Sequence, residues 1–294
     1  MACYRPIKGF RGVDGSLVMA RHKSTGIPMQ VPCRQCIGCR LEYSRQWAVR
    51  IMHEAQMHRD NAFLTLTYAD HTLPDSGSLD VLDVQKFFKR FRKAIAPTKI
   101  RYYCVGEYGD QTRRPHYHIC LFGYGFPDKV LKTIRGEHRV YNSAFLESVW
   151  PLGMSEIGSL TFESAAYCAR YVTKKVTGKR AKDHYTRVDP ETGEIYDIAP
   201  EFATMSRRPG IGHGWLEKYG KDVYPSDEVI TRGKSGKPPR YYDRVFSEEN
   251  PEEFEKIRER RVRRRDRENQ TDERLAVREV VTKARSELFQ KRGM

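Results

Sequence analysis

Alternating hydrophobic and polar positions predict short β-strands in the first half of the chain. The clearest example is the segment 61–68 (NAFLTLTY), where Thr65 and Thr67 fall on one face and the intervening leucines on the other. Further strands are predicted over residues 100–106, 115–122 and 154–160, and residues 109–114 form the hairpin loop between the first two of these. Each of these strands is expected to present an apolar face to a core.

Apolar residues spaced by three and four positions predict helices between these strands. We expect helices over residues 40–58, from an N-cap at Asp83 to about Ala96, over 143–150 and over 161–176. The remaining segments are assigned more coarsely: residues 1–32 are irregular, 177–246 are rich in loops, and 251–290 are helical and highly charged.

The order of these elements, β-α-β-β-α-β-α, predicts an α+β fold, ferredoxin-like in outline, with a central mainly antiparallel sheet and flanking helices. We divide the chain into an N-terminal cysteine-containing segment (1–39), a core (40–180), a loop-rich basic extension (181–246) and a charged helical tail (247–294).

Composition and charge indicate a polyanionic partner. The chain has 294 residues, and its 53 Lys+Arg exceed its 38 Asp+Glu by 15. The tail looks the most basic, yet its 14 Lys+Arg face 12 Asp+Glu, so +13 of the net +15 belongs to residues 1–246. Nucleic acid is the expected partner, ahead of an anionic membrane surface. No apolar stretch predicts a membrane span or a signal peptide, so we expect an intracellular, soluble protein with reduced cysteines.

Two histidines stand two positions apart in the predicted strand 115–122. Residues i and i+2 of a strand share a face, so His116 and His118 present two imidazoles side by side and form half of a metal site. If the hairpin is symmetric about its loop, Glu107 lies opposite His116 and supplies a third ligand. The alternatives are surface or core histidines, and an exposed carboxylate at the hairpin end.

Two tyrosines and a lysine recur at intervals of four in the predicted helix 161–176. Tyr167, Tyr171 and Lys175 would line one stripe of that helix, with Arg170 and Lys174 beside it. A core stripe is the usual explanation of such tyrosines, but lysine is almost never fully buried. In basic surroundings a phenol can act as a nucleophile towards a phosphodiester.

Three cysteines follow one another at intervals of three in the N-terminal segment. Cys33, Cys36 and Cys39 have the spacing of a zinc knuckle, and Cys3 is the expected fourth ligand of a closed, structural Zn²⁺ site. Unrelated buried thiols are the alternative. The other cysteines, Cys104, Cys120 and Cys168, are expected to be core thiols.

A further basic motif is Met205–Gly212 (MSRRPGIG). Its arginines, Arg207 and Arg208, beside a glycine-rich turn, could hold phosphate groups with guanidinium and backbone N–H donors. A plain basic surface loop explains the motif equally well. For the tail, a solvated charged helix is favoured over a partner-binding or DNA-contacting one.

Taken together, these motifs resemble the HUH endonucleases, whose signature is a His-hydrophobic-His triplet with a tyrosine on a helix. The chain is most similar to the replication initiation proteins of microviruses, in particular of the gokushovirus branch. The resemblance covers about residues 1–245 and is carried by 33–39 with Arg45-Gln46-Trp47, 63–68, 106–109, 114–123, 167–175 and 205–212.

This resemblance implies a rolling-circle replication initiator with an HUH palm in the core. His116 and His118 would bind Mg²⁺ or Mn²⁺, Tyr167 and Tyr171 would be the nucleophiles that form a 5′-phosphotyrosine, and Lys175 would stabilise developing charge. The expected partners are single-stranded DNA at a viral origin and a host helicase and polymerase, in the cytoplasm of a bacterial host. The residues expected to contact DNA are Thr65, Thr67, Arg114, Arg170, Lys174, Arg207 and Arg208.

Two other interpretations stay open from the sequence. One is a related HUH enzyme, either a plasmid initiator or a relaxase-like mobilisation protein. The other is a non-catalytic, zinc-containing DNA-binding protein, in which the tyrosines belong to the core and the histidines are incidental. The second interpretation predicts salt-sensitive DNA binding without a metal-dependent covalent adduct.

Overall fold

The computed structural model describes residues 3–171, 175–176, 178, 180–189, 191–264, 266 and 268–292, without the side chains of residues 171, 180 and 289–292. Within these residues the chain forms two compact units. One, the central unit, consists of residues 46–242, and the other, the terminal unit, of residues 1–45 and 243–294.

The strands are β1 (Ile7–Arg11), β2 (Leu17–Val18), β3 (Pro28–Val31), β4 (Asn61–Thr67), β5 (Arg101–Tyr108), β6 (Pro115–Phe122), β7 (Val130–Arg135), β8 (His138–Asn142), β9 (Ser155–Gly158), β10 (Thr186–Val188), β11 (Ile195–Asp197), β12 (Phe202–Met205), β13 (Val229–Thr231) and β14 (Lys234–Gly236). The helices are α1 (Ile37–Gln56), α2 (Val81–Ala94), α3 (Ala144–Val149), α4 (Phe162–Tyr171), α5 (Arg180–Tyr185), α6 (His213–Val223), α7 (Arg240–Glu249), α8 (Pro251–Arg263) and α9 (Asp272–Arg292).

A seven-stranded antiparallel sheet with the order β12-β5-β6-β4-β9-β8-β7 forms the central unit. One face carries the apolar side chains of alternate strand positions and packs against the phenylalanine stripe of α2 and against α3, including the fully buried Trp150. The other face packs against Ala48 and Ile51 of α1 and against Ala165 and Cys168 of α4. The predicted α+β class and antiparallel sheet with flanking helices are therefore confirmed.

The strand periodicity places side chains as the sequence predicts. Leu64 and Leu66 are fully buried in the core between the sheet and α2, and Thr65 and Thr67 alternate with them. The hairpin loop falls at 109–114, since β5 ends at Tyr108 and β6 begins at Pro115. Cys104, Cys120 and Cys168 are fully buried, as expected of core thiols.

Two predicted helix boundaries are wrong. Asp80, rather than Asp83, caps α2 and accepts a hydrogen bond from the Leu82 amide, whereas Asp83 accepts one from the hydroxyl of Tyr68. The helix predicted to reach residue 176 ends at Tyr171, and the amide of Val176 donates instead to the hydroxyl of Tyr185, 3.0 Å away. A tertiary partner thus replaces the helical carbonyl that the local pattern would supply.

Several strands have no clear sequence signal. The segment 1–32, expected to be irregular, contains the small antiparallel sheet β2-β1-β3. The hairpin β7–β8 and the edge strand β12 extend the main sheet at its two ends. A Cβ on Gly106 would lie 2.9 Å from the ring of Phe202, so this glycine of β5 makes room for β12. These strands are short, and pairing with a neighbour rather than their own pattern defines them.

Within the terminal unit, the helical tail contacts the N-terminal segment. The Tyr4 hydroxyl lies 2.8 Å from that of Thr282, and Arg5 forms a 2.7 Å ion pair with Glu279, which is only 7% exposed. Leu275 of α9 is also buried. The expectation of a solvated tail helix is therefore wrong for the inner face of α9. No described helix combines the length and the apolar character that crossing a membrane requires.

Candidate active site

Strand register brings the predicted metal ligands to one face of the main sheet. Glu107 of β5 pairs with His116 of β6, as the symmetric hairpin predicts. On the other side of β6, β4 pairs Thr65 with His118 and Thr67 with His116. Directly paired residues point to the same side of a sheet, so the carboxylate, both imidazoles and both hydroxyls lie together.

The three candidate ligands converge on one point. The Nε2 atoms of His116 and His118 both lie 2.9 Å from Oε1 of Glu107, a side chain only 1% exposed. The second carboxylate oxygen, Oε2, is buried and has no hydrogen-bond partner among the described residues. A buried carboxylate with an unsatisfied oxygen, beside two imidazole nitrogens, is a donor set that suits a divalent cation.

Hydrogen bonds at the outer side of each ring fix the orientation of the two imidazoles. Nδ1 of His116 lies 3.2 Å from the carbonyl oxygen of Arg114, and Nδ1 of His118 lies 3.1 Å from Oγ1 of Thr65. The ring of Phe63 stacks on His118 at 5.3 Å. A histidine that donates from Nδ1 to a carbonyl presents the lone pair of Nε2, and such outer partners commonly orient metal ligands.

The two histidines differ in protonation because only one is deeply buried. Burial disfavours the charged form of His116, but the hydrogen bond to Glu107 and the carboxylate's charge outweigh it, so its pKa is raised. For His118, burial dominates and the neighbouring His116 adds to it, so its pKa is lowered in spite of Glu107. His118 is thus held neutral, the form in which imidazole binds metal.

Tyr167 projects from α4 towards this cluster. The helix packs on the sheet through the neighbouring buried residues Ala165 and Cys168, which sets its distance from the strand. The Tyr167 hydroxyl donates to Oε1 of Glu107 at 3.3 Å, and its ring meets that of His118 edge-on at 5.0 Å. The predicted tyrosine and the predicted metal ligands therefore lie in direct contact.

The rest of the predicted tyrosine stripe is only partly described. The backbone of Tyr171 ends α4, while its side chain and the whole of Lys174 lie outside the described residues. Lys175 is exposed and not helical. The sequence argument that placed Lys175 on one stripe with Tyr167 is therefore wrong, because it required the helix to continue to residue 176.

The basic residues expected to contact DNA fall into two places. Arg114 lies at the metal-ligand end of β6, where it forms a 2.7 Å ion pair with Asp70, and Arg170 is exposed on α4. Arg207 and Arg208 are exposed and follow Ser206, whose amide donates to the Tyr102 carbonyl. Tyr102 is five positions from Glu107, about 17 Å along the strand, so the structure does not bring these two arginines to the site.

The sequence does not reveal what holds the glycine-rich motif in place. Buried Glu54 of α1 accepts a hydrogen bond from the Gly212 amide at 2.6 Å and an ion pair from Arg101 at 2.5 Å. Gly212 has a φ of 78°, and a Cβ there would clash with the hydroxyl of Tyr242. The glycines of this motif therefore serve packing, with no phosphate-binding turn required to explain them. Glu54 and Arg101 belong to distant segments, so no spacing pattern marks them.

The four predicted zinc ligands lie together in the terminal unit. The sulfur of Cys3 is 3.6 Å from that of Cys33 and 3.9 Å from that of Cys36, and Cys33 is 4.0 Å from Cys39. Tetrahedral Zn²⁺ with Zn–S bonds of about 2.3 Å requires sulfurs about 3.8 Å apart. All four sulfurs lie within 4.8 Å of one another and carry free thiols.

Backbone amides favour the thiolate form in this cluster. The amides of Tyr4 and Cys36 donate to the sulfurs of Cys36 and Cys33, each at 3.3 Å. Burial opposes charge on Cys36, but the amides of Tyr4 and Cys39 outweigh it and lower its pKa to about 7. For Cys3, burial dominates and raises the pKa. The cluster can therefore hold a thiolate-binding metal ion.

Comparison with known proteins identifies similar replication proteins. A family model whose description begins "Replication-associated protein ORF2" matches residues 61–176, the segment that contains Glu107, both histidines and Tyr167. Replication-associated protein VP4 of Bdellovibrio phage phiMH2K is 36% identical over 267 residues, covering 86% of this chain and 80% of the relative. Replication-associated protein ORF2 of Spiroplasma virus 4 is 32% identical over 284 residues, covering 86% and 83%.

A third relative, replication-associated protein ORF4 of Chlamydia phage 1, is 33% identical over 162 residues, which is 52% of this chain and 40% of the relative. No solved structure shows a significant match.

Proposed function

The chain belongs to the family of replication-associated proteins of microviruses, and from this premise we propose that it initiates rolling-circle replication as an HUH-type endonuclease. In this proposal it nicks single-stranded DNA at the viral origin and later rejoins the ends. The antiparallel sheet with the histidine strand β6 at its centre then serves as an HUH palm of ferredoxin-like type.

One observation carries the proposal. Oε1 of Glu107 lies within 2.9 Å of both imidazole Nε2 atoms and 3.3 Å from the hydroxyl of Tyr167. A potential nucleophile and a cation-binding triad thus address the same small volume, which is the arrangement that attack on a metal-bound phosphate requires.

Glu107, His116 and His118 would hold Mg²⁺ or Mn²⁺. The buried, unpartnered Oε2 of Glu107 and the outward hydrogen bonds of both Nδ1 atoms fit this role. A bound cation supplies Lewis acidity, withdrawing charge from a phosphate oxygen.

The chain's own residues perform the strand transfer. The Tyr167 oxygen forms a bond to the scissile phosphorus while the bond from phosphorus to the 3′ oxygen breaks. The phenol loses its proton and the departing 3′ oxygen gains one, so the products are a 5′-phosphotyrosine and a free 3′-OH. The bond energy is kept for rejoining because no water enters the exchange.

A second tyrosine would complete the circle. Tyr171 follows Tyr167 by four residues, which places both phenols on one helix face about 6 Å apart along the axis. It would cleave the regenerated origin, and the released 3′-OH would attack the first phosphotyrosine. Lys175 would stabilise phenolate or phosphate charge.

DNA contacts and partners follow from the same proposal. The phosphate backbone would be held by hydroxyl and basic side chains, namely Thr65, Thr67, Arg114, Arg170, Lys174, Arg207 and Arg208. The free 3′-OH primes synthesis, so a host helicase and polymerase would act with the protein in the cytoplasm of the infected bacterium. The cysteine cluster would hold a structural Zn²⁺ apart from this chemistry.

The test is covalent adduct formation on single-stranded DNA that carries the phage origin. With Mn²⁺ added, we expect an SDS-stable protein–DNA adduct and a fragment with a free 3′-OH, and no adduct without added metal. Glu107→Gln should lower the rate about a hundredfold, since outer and inner ligands of a catalytic metal carry effects of this size. The exposed Glu217→Gln is the matched control. Salt-sensitive binding without any adduct would instead identify a non-catalytic DNA-binding protein.

Metal binding at this site should weaken as the pH falls. Proton and metal compete for Nε2 of His116, whose pKa is raised above the ordinary 6.5 because the hydrogen bond and charge of Glu107 outweigh its burial. The affinity for Mn²⁺ should therefore begin to fall at a higher pH than for an ordinary histidine, and approach about a tenfold loss per pH unit per proton. Calorimetric titration from about pH 8 to pH 5 measures it. An affinity independent of pH over this range would contradict the assignment of His116 as a ligand.

A further inference from the structure

A cavity of about 370 Å³ opens in the central unit near the end of β4. Its lining combines aromatic, aliphatic, polar and cationic side chains, among them Trp150, Met154, Asn142, Ser155, His71 and Lys132. Pockets that bind small molecules or single chemical groups span about 300–1,000 Å³, so this cavity lies at the lower end of that range.

A single residue, Thr67, separates the cavity from the candidate metal ligands. On one side Thr67 pairs with His116 across β4 and β6. On the other side its amide and its hydroxyl lie 2.9 and 3.3 Å from the carbonyl oxygen of Met154, which lines the cavity. The indole N–H of Trp150 donates to the Thr67 carbonyl at 3.0 Å. A strand held at the metal ligands therefore passes directly by the cavity.

Two polar atoms at the cavity have no partner within the described chain. They are the hydroxyl oxygen of Ser155, a residue only 4% exposed, and the amide oxygen of Asn142. Both residues line the cavity. Buried polar atoms are nearly always hydrogen-bonded in folded proteins, so two unpartnered atoms in one cavity point to a ligand that brings its own donors and acceptors.

The chemistry of the lining fits one unpaired nucleobase. Trp150 and Met154 supply apolar contact for a flat ring, and Ser155 offers a donor and an acceptor. The Asn142 oxygen accepts an N–H, which favours a base with an exocyclic amino group over thymine. Lys132, paired at 2.9 Å with Glu156, and the exposed His71 place positive charge at the rim, where a phosphate would lie.

We propose that this cavity binds one base of the DNA strand whose scissile phosphate lies at Glu107, His116 and His118, and that Asn142 and Ser155 select that base. The inference rests on the proposed function for the identity of the ligand. Unstacked bases of single-stranded DNA expose the edges that such a pocket reads, which a duplex would hide. The cavity thus gives the nickase a means of recognising its origin beside the cut.

The test compares binding of three fluorescent homopolymers of about ten nucleotides, of dA, dC or dT, without added metal so that no cleavage occurs. Wild type should bind dA or dC about five- to tenfold tighter than dT, as one or two hydrogen bonds allow. In Ser155→Ala and Asn142→Leu the three affinities should agree within about twofold. Ser148→Ala, which removes an exposed hydroxyl on α3, is the matched control and should keep the preference.

Thermal unfolding separates this role from a structural one. Because the Ser155 hydroxyl has no partner in the described chain, Ser155→Ala should unfold at the same or a higher temperature than wild type. A clear drop in its unfolding temperature would assign the hydroxyl to the fold and overturn the proposal. So would wild type without base preference, or variants that keep it.

Two further arms identify the source of the base and isolate the proposal from the nickase assignment. If dAMP or dCMP binds as tightly as the homopolymers, the ligand is a free nucleotide and the proposal is wrong. A metal-dependent adduct with unchanged preference in the variants overturns the pocket alone. Loss of preference in the variants without any adduct in wild type supports the pocket and overturns the nickase.

Discussion

Replacing the hydroxyl of Tyr167 with hydrogen, in Tyr167→Phe, is expected to reduce formation of the first covalent adduct about a thousandfold or more, the scale seen when a nucleophile is removed. The structure places this hydroxyl 3.3 Å from Oε1 of Glu107, and the tyrosine ring against that of His118. Its removal takes away the attacking atom and leaves the metal ligands unchanged. The readout is the SDS-stable adduct on single-stranded origin DNA with Mn²⁺.

The second tyrosine defines how complete the loss should be. If Tyr171 can attack in place of Tyr167, the single variant keeps a residual adduct, and Tyr167→Phe/Tyr171→Phe should form none. Tyr219→Phe on α6 removes a hydroxyl outside the site and serves as the control. Binding of Mn²⁺ should be unaltered in the double variant, which separates loss of the nucleophile from loss of the metal. Adduct that persists in the double variant would show that another group attacks.

Removing metal from the cysteine cluster is expected to unfold the terminal unit. Structural Zn²⁺ contributes an apparent binding free energy of about 10–16 kcal/mol in small zinc modules, more than the stability of most domains. Cys33 lies at the centre of the cluster, with sulfur neighbours at 3.6 and 4.0 Å. In Cys33→Ser, or after a strong chelator, we expect loss of one bound Zn²⁺ per chain and of hydrogen-exchange protection in β1 and α9.

The protection of α9 should follow the cluster because the two are connected through the N-terminal segment. Tyr4 donates its amide to Cys36 and bonds its hydroxyl to Thr282, while Arg5 pairs with the buried Glu279. Native mass spectrometry gives the zinc content, and Cys104→Ala, a buried thiol of the central unit, is the control that should retain it. A chain that carries no zinc yet shows full protection of α9 would contradict the prediction.

Much of the site could be predicted because its signals are local. A strand places alternate residues on one face, so His116 and His118 had to lie together wherever the strand packed. A short hairpin loop allows few registers, and the symmetric one brings Glu107 opposite His116, as observed. The spacing of Cys33, Cys36 and Cys39 likewise restricts their sulfurs to a small volume.

The misplaced elements show where local signals fail. Asp83 and Asp80 are both acceptable caps by residue type, and only the contact of Asp83 with Tyr68 decides between them. The end of α4 depends on the distant hydroxyl of Tyr185, which takes the Val176 amide. Short strands such as β12 become strands by pairing with β5, and their own pattern is weak.

By itself, then, the sequence determined the α+β class, the face shared by the two histidines, the hairpin that adds Glu107 and the cysteine knuckle, because strand period, loop length and ligand spacing act over few residues. Only the tertiary structure decided that Tyr167 of α4 meets Glu107 of β5, that Cys3 joins the other cysteines, and that a cavity with the unpartnered Ser155 lies beside Thr67. Those contacts join segments far apart in the chain, and the packing of helices on both faces of the sheet sets them.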